Sequence, residues 1–211
     1  MSDRLTDLKL ADFLDRLASD SPTPGGGSAS ALAGALACAL VEMVARLTLG
    51  RERYAAAETE MAEVLSRAGA VRRELADLID RDARAFEAVM AAYRLPRGTE
   101  DEKNTRRAAI EEATKEAARV PLRVTELACE VLSLARTAAE RGNPNAVTDA
   151  GVAGHLALTA AEGAALNVRI NLAGLKDDSY RAETERRVED HLGRARDAAR
   201  DIASVVRQRT G

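Results

Sequence analysis

Residues 22–38 read PTPGGGSASALAGALAC, and the predicted architecture follows from this segment. Three consecutive glycines follow two prolines, and the segment after them consists of alanine, glycine, serine and cysteine broken only by leucines. Small side chains on a helix let neighbouring backbones approach closely, so the pattern predicts a central helix over about 28–48. Three glycines in a row lose much conformational entropy on folding, which indicates that this turn has a specific task.

The rest of the chain shows helical periodicity, with no alternating run long enough for a confident strand. The apolar spacing predicts further helices over about 6–19, 52–93, 146–174 and 178–208, and Thr99 with Glu102 forms a capping box for another. Val120-Pro121 either kinks that helix or begins a further one. We predict an all-α, up-and-down bundle of about six or seven helices, a single domain over 1–211, that dimerises through its long helices.

Charge and composition exclude several classes of function. Lys and Arg total 31 against 34 Asp and Glu, giving a net charge of −3, and aromatic residues make up only 2%. This balance argues against a nucleic-acid binder or a membrane-surface protein. Cys38, Cys129, His155 and His191 form no metal-ligand spacing, so no metal is expected. Early charges interrupt any signal peptide, and a cytoplasmic location is expected.

The positions of two sequence features indicate a chemical role. The turn at Pro24, Gly25, Gly26, Gly27 and Ser28 precedes a helix, whose free amides favour an anionic group of a ligand, although a hinge or a simple Ser28 cap would also fit. Asp82 falls on the apolar stripe of the helix over 52–93. A carboxylate there is costly unless it lines a cavity, and burial would raise its pKa into a useful acid–base range; the alternative is a solvated edge position.

A third group surrounds the predicted core helix over 146–174. Asn143, Asn145 and Asp149 lie at its start, where helix caps are common, while Asn167 and Asn171 lie one turn apart near its end and need partners if buried. Asp149 and Asn167 share a face but stand roughly 27 Å apart along the axis. One helix cannot bring them into one site, whereas an antiparallel two-fold mate can. A composite site at a dimer interface is therefore a reasonable hypothesis.

The same positions carry a resemblance to a known family. Pro22–Ser28 with the small-residue helix through Val44 is similar to the opening of the formiminotransferase-cyclodeaminase C-terminal family, which includes the stand-alone methenyltetrahydrofolate cyclohydrolases. The similarity continues through the segments Leu47–Gly50 with Tyr54, Asp82–Phe86, Leu95-Pro96 with Glu102-Lys103, Val120–Leu122, Gly142-Asn143 with Thr148-Asp149, and Asn167–Leu172. It covers nearly the whole chain in order, and two segments, Tyr93–Pro96 and Thr148–Ala153, resemble the cyclohydrolases more closely.

This resemblance implies an all-helical dimeric enzyme that acts on the one-carbon bridge of tetrahydrofolate, with no cofactor beyond that substrate. The expected reaction is hydrolysis of 5,10-methenyltetrahydrofolate to 10-formyltetrahydrofolate. The alternatives are formiminotetrahydrofolate cyclodeamination, which releases ammonia, and a non-catalytic folate-binding bundle. Either reaction passes through a tetrahedral carbon beside a delocalised cation, so Asp82 or Asp149 is expected to move the proton, with the asparagines and the Gly25–Ser28 amides holding the substrate.

Overall fold

The computed structural model describes residues 4–211 and contains six α-helices; residues 1–3 of the predicted domain lie outside it. The helices are α1 (Leu10–Leu17), α2 (Gly26–Thr48), α3 (Glu58–Tyr93), α4 (Glu100–Arg141), α5 (Val147–Leu172) and α6 (Asp178–Thr210). Short 3-10 turns span Leu5–Asp7, Glu52–Ala57 and Pro144–Ala146. The described part of the chain has no strand, so the all-α prediction is confirmed.

The helix α2 occupies the centre of the bundle and packs against α3, α4 and α5. Its buried side consists of small residues, and a Cβ at Gly34 would stand only 3.1 Å from Leu75 of α3 and 3.5 Å from Ala160 of α5. Contacts at the helix ends show that α3 and α5 run antiparallel to α2, while α4 and α6 run parallel to it. The predicted up-and-down order is therefore present.

Two predicted boundaries were wrong. The helix expected over 52–93 begins only at Glu58, because Tyr54 has non-helical backbone angles (φ −120°, ψ 15°) inside the preceding 3-10 turn. The helix expected over 6–19 divides into the turn Leu5–Asp7 and α1. The capping box at Thr99 is confirmed, since its hydroxyl accepts from the Glu102 amide while the Glu102 carboxylate accepts from the Thr99 amide.

Pro121 neither ends α4 nor begins another helix. Proline has no amide hydrogen, so the Ala117 carbonyl one turn earlier has no donor from the helix backbone. The Asn171 side chain of α5 supplies that donor, with Nδ2 2.8 Å from the Ala117 oxygen. The interior proline is therefore accommodated by a side chain from the neighbouring helix, and α4 continues to Arg141.

By length and composition α2 is the one helix in the described residues that is apolar enough to cross a membrane. In the bundle it is a core helix, because residues from Ala31 to Ala45 are fully buried at intervals along it. The apolar character of α2 thus matches its central position between the other long helices.

Candidate functional site

Asp82 lies directly against the N-terminus of α2. A Cβ added at Gly27 would stand 2.1 Å from Asp82 Oδ1, 2.5 Å from its Cγ and 2.7 Å from its Oδ2. Real Cβ atoms do not make contacts this short, so only glycine at position 27 leaves room for the carboxyl group. The glycine turn and the acid on the apolar stripe, which the sequence indicated separately, therefore form one unit.

The proton affinity of Asp82 reflects this position. Burial raises the pKa of the Asp82 carboxyl above its usual range, and hydrogen bonding from the Ser28 hydroxyl and amide offsets part of that rise. The hydroxyl oxygen of Ser28 is 3.0 Å from Asp82 Oδ2 and 3.0 Å from the Ile79 carbonyl oxygen. Within residues 4–211 no Lys or Arg forms an ion pair with Asp82, so no cation holds this carboxyl in its charged form.

Asn167 of α5 lies beside the same helix end. Its amide nitrogen would be 3.3 Å from a Cβ at Gly26, and this nitrogen donates to the Gly163 carbonyl at 2.9 Å. The side-chain oxygen has no hydrogen-bond donor among the described residues and is not buried, so it is available to a ligand. We call Gly26, Gly27, Ser28, Asp82 and Asn167 the glycine cluster.

The preceding residues support this cluster from outside. Pro24 is buried and follows a cis Thr23–Pro24 peptide bond, and Gly25 is the N-cap of α2. The Gly25 carbonyl accepts from the Ala29 amide at 3.0 Å, while the Gly26 residue is exposed. Within residues 4–211 the Gly26 amide has no acceptor and the Asn167 side-chain oxygen has no donor, so both groups are unoccupied beside Asp82.

Asn143 belongs to a different end of the molecule. Its backbone amide donates to Thr48 Oγ1 at 2.9 Å, and its side-chain nitrogen donates to the Leu47 carbonyl at 3.3 Å. Its side-chain oxygen accepts from the Tyr54 hydroxyl at 2.8 Å and from the Asn145 amide at 3.0 Å. Both acceptor positions of that oxygen are thus occupied, and Asn143 ties the turn before α5 to the C-terminus of α2.

Asn145 and Asp149 lie on the outer side of this tie. Asn145 is exposed, Asp149 is half-buried in the first turn of α5, and neither side chain has a hydrogen-bond or ion-pair partner within residues 4–211. We call Thr48, Tyr54, Asn143, Asn145 and Asp149 the asparagine cluster. Tyr54, on which the Arg53 guanidinium stacks at 4.6 Å, was missed as a site residue because its contact to Asn143 spans 89 positions.

Asn171 is not free to act as a donor to a ligand. Its side-chain nitrogen donates to the Ala117 carbonyl at 2.8 Å and to the Asn167 carbonyl at 2.9 Å, which uses both of its hydrogens. The geometry therefore gives Asn171 a structural task at Pro121, and substrate binding through its oxygen stays a prediction.

The two clusters lie at opposite ends of α2. Gly27 and Thr48 are separated by 21 positions in that helix, which places the clusters about 30 Å apart along its axis. The structure therefore brings Asp82 and Asn167 together, brings Asn143, Asn145 and Asp149 together, and does not join the two groups within one protomer.

An exposed apolar surface connects the two ends. Leu36, Met43 and Leu47 are 49%, 36% and 40% exposed, and with the half-buried Leu32 and Leu40 they form a stripe along α2. At the end nearer the glycine cluster, Leu166 and Ile170 of α5 are 66% and 71% exposed, and Phe86, Met90 and Tyr93 of α3 are also exposed. The five α2 side chains recur every three or four positions, so they share one apolar face of that helix.

Comparisons with a family model, with curated proteins and with solved structures all find relatives in the same family. A family model described as formiminotransferase-cyclodeaminase matches residues 9–190. The chain is 45% identical over 183 residues to a methenyltetrahydrofolate cyclohydrolase of Methylorubrum extorquens, covering 87% of this chain and 88% of that protein. It is 33% identical over 195 residues to the formimidoyltransferase-cyclodeaminase of Rattus norvegicus, of which it spans 36%. The crystal structure of a formiminotetrahydrofolate cyclodeaminase from Thermotoga maritima matches with a TM-score of 0.88 at 31% identity, covering 97% of this chain and 98% of that one.

Proposed function

The chain belongs to the formiminotransferase-cyclodeaminase family, and on that premise we propose that it is an enzyme that hydrolyses 5,10-methenyltetrahydrofolate to 10-formyltetrahydrofolate. The observation that carries the proposal is the Asp82 carboxyl, which is desolvated, has no cationic partner in residues 4–211 and lies beside open hydrogen-bonding groups. The cyclohydrolase relative, at 45% identity over most of both chains, supports hydrolysis as the first choice.

The chemistry needs one group that takes up and returns a proton. In the first step a water oxygen bonds to the bridge carbon, and Asp82 takes one proton from that water, which leaves a neutral tetrahedral adduct. In the second step the bond from that carbon to N5 breaks, N5 takes the proton back from Asp82, and the hydroxyl proton leaves to solvent as the formyl carbonyl forms. The balance is one water consumed and one proton released.

A carboxylate also suits the charge of this substrate. The methenyl bridge carries a delocalised positive charge, and an ionised Asp82 in a desolvated position stabilises a cation more strongly than it would in water. Asn167 supplies an amide oxygen, and the α2 amides at Gly25 and Gly26 supply donors, for the polar edge of the pterin or a carbonyl of the substrate. Asn171 supports α4 at Pro121, and Asn143 supports the turn before α5 at the opposite end of α2.

Cyclodeamination is the second candidate, favoured by the rat and Thermotoga relatives. In that reaction N10 bonds to the formimino carbon and loses its proton. The formimino nitrogen gains two protons, one in place of that from N10 and one from an acid, and its bond to the carbon breaks to release ammonia and the methenyl cation. The same acid can serve both reactions, so a direct assay decides between them. Purified protein is offered each folate separately and the methenyl absorbance band is followed against the uncatalysed rate. Loss of the band supports hydrolysis, a new band with ammonia supports cyclodeamination, and no acceleration in either contradicts both.

We infer that the working form is a homodimer, and that Asp149 and Asn145 of one protomer complete the site at Asp82 of its partner. The apolar stripe on α2 is centred near Leu36 and Leu40, close to the middle of the helix. A two-fold axis crossing there makes the helices antiparallel and sets the glycine cluster of one chain opposite the asparagine cluster of the other. The same proposal assigns the protein to the cytoplasm, where its folate substrate would be found.

Complementation between two inactive variants tests the composite site. Asp82→Asn and Asp149→Asn are purified separately, and each is expected to lose two to four orders of magnitude in turnover with unchanged helix content. After mixing, unfolding and refolding in equal amounts, hybrid dimers contain one intact site, so about a quarter of wild-type activity returns. A mixture as inactive as its components would contradict a shared site. Turnover of Asp82→Asn within a few-fold of wild type would remove Asp82 from the mechanism.

A further inference from the structure

Ser28 has a hydrogen-bonding geometry that its single proton cannot satisfy while Asp82 is ionised. Its hydroxyl oxygen lies 3.0 Å from two acceptors, the Ile79 carbonyl and Asp82 Oδ2. A serine hydroxyl has one hydrogen to donate, so only one of these contacts is a hydrogen bond if both neighbours are purely acceptors. The Ser28 side chain is completely buried, so no water takes part at its hydroxyl.

The protonation state of Asp82 decides which of the two contacts is a hydrogen bond from the serine. If Asp82 carries its proton on Oδ2, the carboxyl O–H donates to Ser28 Oγ, and the serine hydrogen is free to point at the Ile79 carbonyl. If Asp82 is ionised, the hydroxyl turns to the carboxylate, because a hydrogen bond to a charged acceptor is the stronger one. The Ile79 carbonyl still accepts its helix hydrogen bond in that state, so neither position leaves a buried carbonyl without a donor.

We propose that the Ser28 hydroxyl rotates between the Asp82 carboxylate and the Ile79 carbonyl as Asp82 loses and gains its proton, which makes Ser28 a positioning residue for proton transfer. This inference rests on the proposed role of Asp82. During hydrolysis Asp82 accepts a proton from the attacking water and returns it to N5, and each transfer is accompanied by one rotation of the serine C–O bond. The carboxyl group itself stays in its slot against Gly27 throughout.

The groups around Asp82 are either uncharged or bound to other partners. The first turn of α2 contains only glycine, serine and alanine, and α5 presents the uncharged Asn167. Arg16 of α1 donates to the Thr23 carbonyl, and the buried Asp80 of α3 accepts from the Leu5 amide, so each has a partner other than Asp82. Arg81 pairs with Glu116 on the exposed face of α3. Burial raises the pKa of Asp82, and the hydrogen bonds from Ser28 offset part of that rise.

The test measures the titration of Asp82 directly. Protein labelled with carbon-13 at the aspartate carboxyl carbons is titrated by NMR, and the Asp82 signal is identified by its loss in Asp82→Asn. Ser28→Ala removes a donor that favours the ionised form, so the Asp82 midpoint should move up by about one pH unit. Ser28→Thr, which keeps the hydroxyl, should restore it. The matched control is Ser30→Ala, because the Ser30 hydroxyl is also buried in α2 but bonds only the Gly26 carbonyl.

A second measurement uses the unaltered chain and therefore does not depend on how the variants fold. The carbonyl carbon signal of Ile79 should move with the same midpoint as the Asp82 carboxyl, since the serine hydrogen arrives at that carbonyl when Asp82 is protonated. The movement should be absent in Ser28→Ala. An Ile79 signal that does not respond, or one that responds equally without the hydroxyl, would overturn the switch.

Activity separates this inference from the proposed function. If both folates are turned over and Asp82→Asn is inactive, yet Ser28→Ala leaves the Asp82 midpoint unchanged, the function stands and the switch is wrong. If the midpoint moves as expected but neither folate is turned over, the switch stands and the proposed function is wrong. In the active case the acidic limb of the pH–rate profile should move with the NMR midpoint.

Discussion

A methyl group at position 27 should expel the Asp82 carboxyl from its slot. In Gly27→Ala the new Cβ would stand 2.1 Å, 2.5 Å and 2.7 Å from the three carboxyl atoms, so the side chain must rotate away. Losing the Ser28 hydrogen bond costs about 1.5–3 kcal/mol, and alanine returns at most about 1 kcal/mol over glycine in helix propensity. With the full alanine gain the net loss is about 0.5–2 kcal/mol, or roughly 1–8 °C in melting temperature for a chain of this size.

Thermal unfolding of four proteins, followed by circular dichroism, tests this reasoning as a cycle. In the Asp82→Ala background the atoms that clash are absent, so the same Gly27→Ala change should be neutral or stabilising there. Gly25→Ala is the matched control, because its Cβ would meet only the Pro22 carbonyl at 3.8 Å. Turnover of Gly27→Ala should fall to the level of Asp82→Asn. An equal change in melting temperature with and without the Asp82 carboxyl would refute the proposed contact.

Three other variants give expected outcomes from single observations. Burial raises the pKa of Asp82, so the folded protein is less stable when this carboxyl is ionised. Asp82→Asn should therefore have a higher melting temperature than wild type at pH 7. The difference should disappear below pH 3.8, where the carboxyl is protonated in both the folded and the unfolded protein. Asn171→Ala should destabilise by about 1–3 kcal/mol, and by clearly less in a Pro121→Ala background, where the amide of residue 121 serves the Ala117 carbonyl. Burial lowers the pKa of His191, and its Nδ1 has no hydrogen-bond partner within residues 4–211. The wild-type melting temperature should therefore fall as pH drops below 6.5, and His191→Phe should flatten that slope.

The sequence predicts the elements well because helical periodicity is a local property. The small residues of α2 and the stripe of α3 are each visible within one segment, and the fold built from them is confirmed. Pro121 shows the limit of local reasoning. A proline in a helix indicates a break, yet the donor that accommodates it, Asn171, lies 54 positions from the carbonyl it serves.

In the candidate site, too, local features could be predicted from the sequence and long-range contacts could not. The glycine turn and Asp82 were both recognisable alone, one from its conformational cost and the other from its place on an apolar stripe. The contact between them could not be predicted from the sequence, because it joins residues 54 positions apart on two helices. The hydrogen bond from Tyr54 to Asn143 is equally remote in sequence, so the structural task of Asn143 became visible only with the packed bundle.

A site shared between two copies of the chain, as proposed above, predicts that activity depends on protein concentration. Between Gly27 and Thr48 α2 is one uninterrupted helix whose inner side is fully buried, so no hinge within a protomer closes a gap of about 30 Å. If Asp149 takes part in catalysis at Asp82, only a second copy can bring it there. Specific activity should then fall on dilution in step with dissociation measured by light scattering, while Leu36→Glu and Met43→Glu, placed on the exposed stripe, should weaken association and activity together. A monomer with full specific activity would show that Asp82 and its neighbours suffice alone.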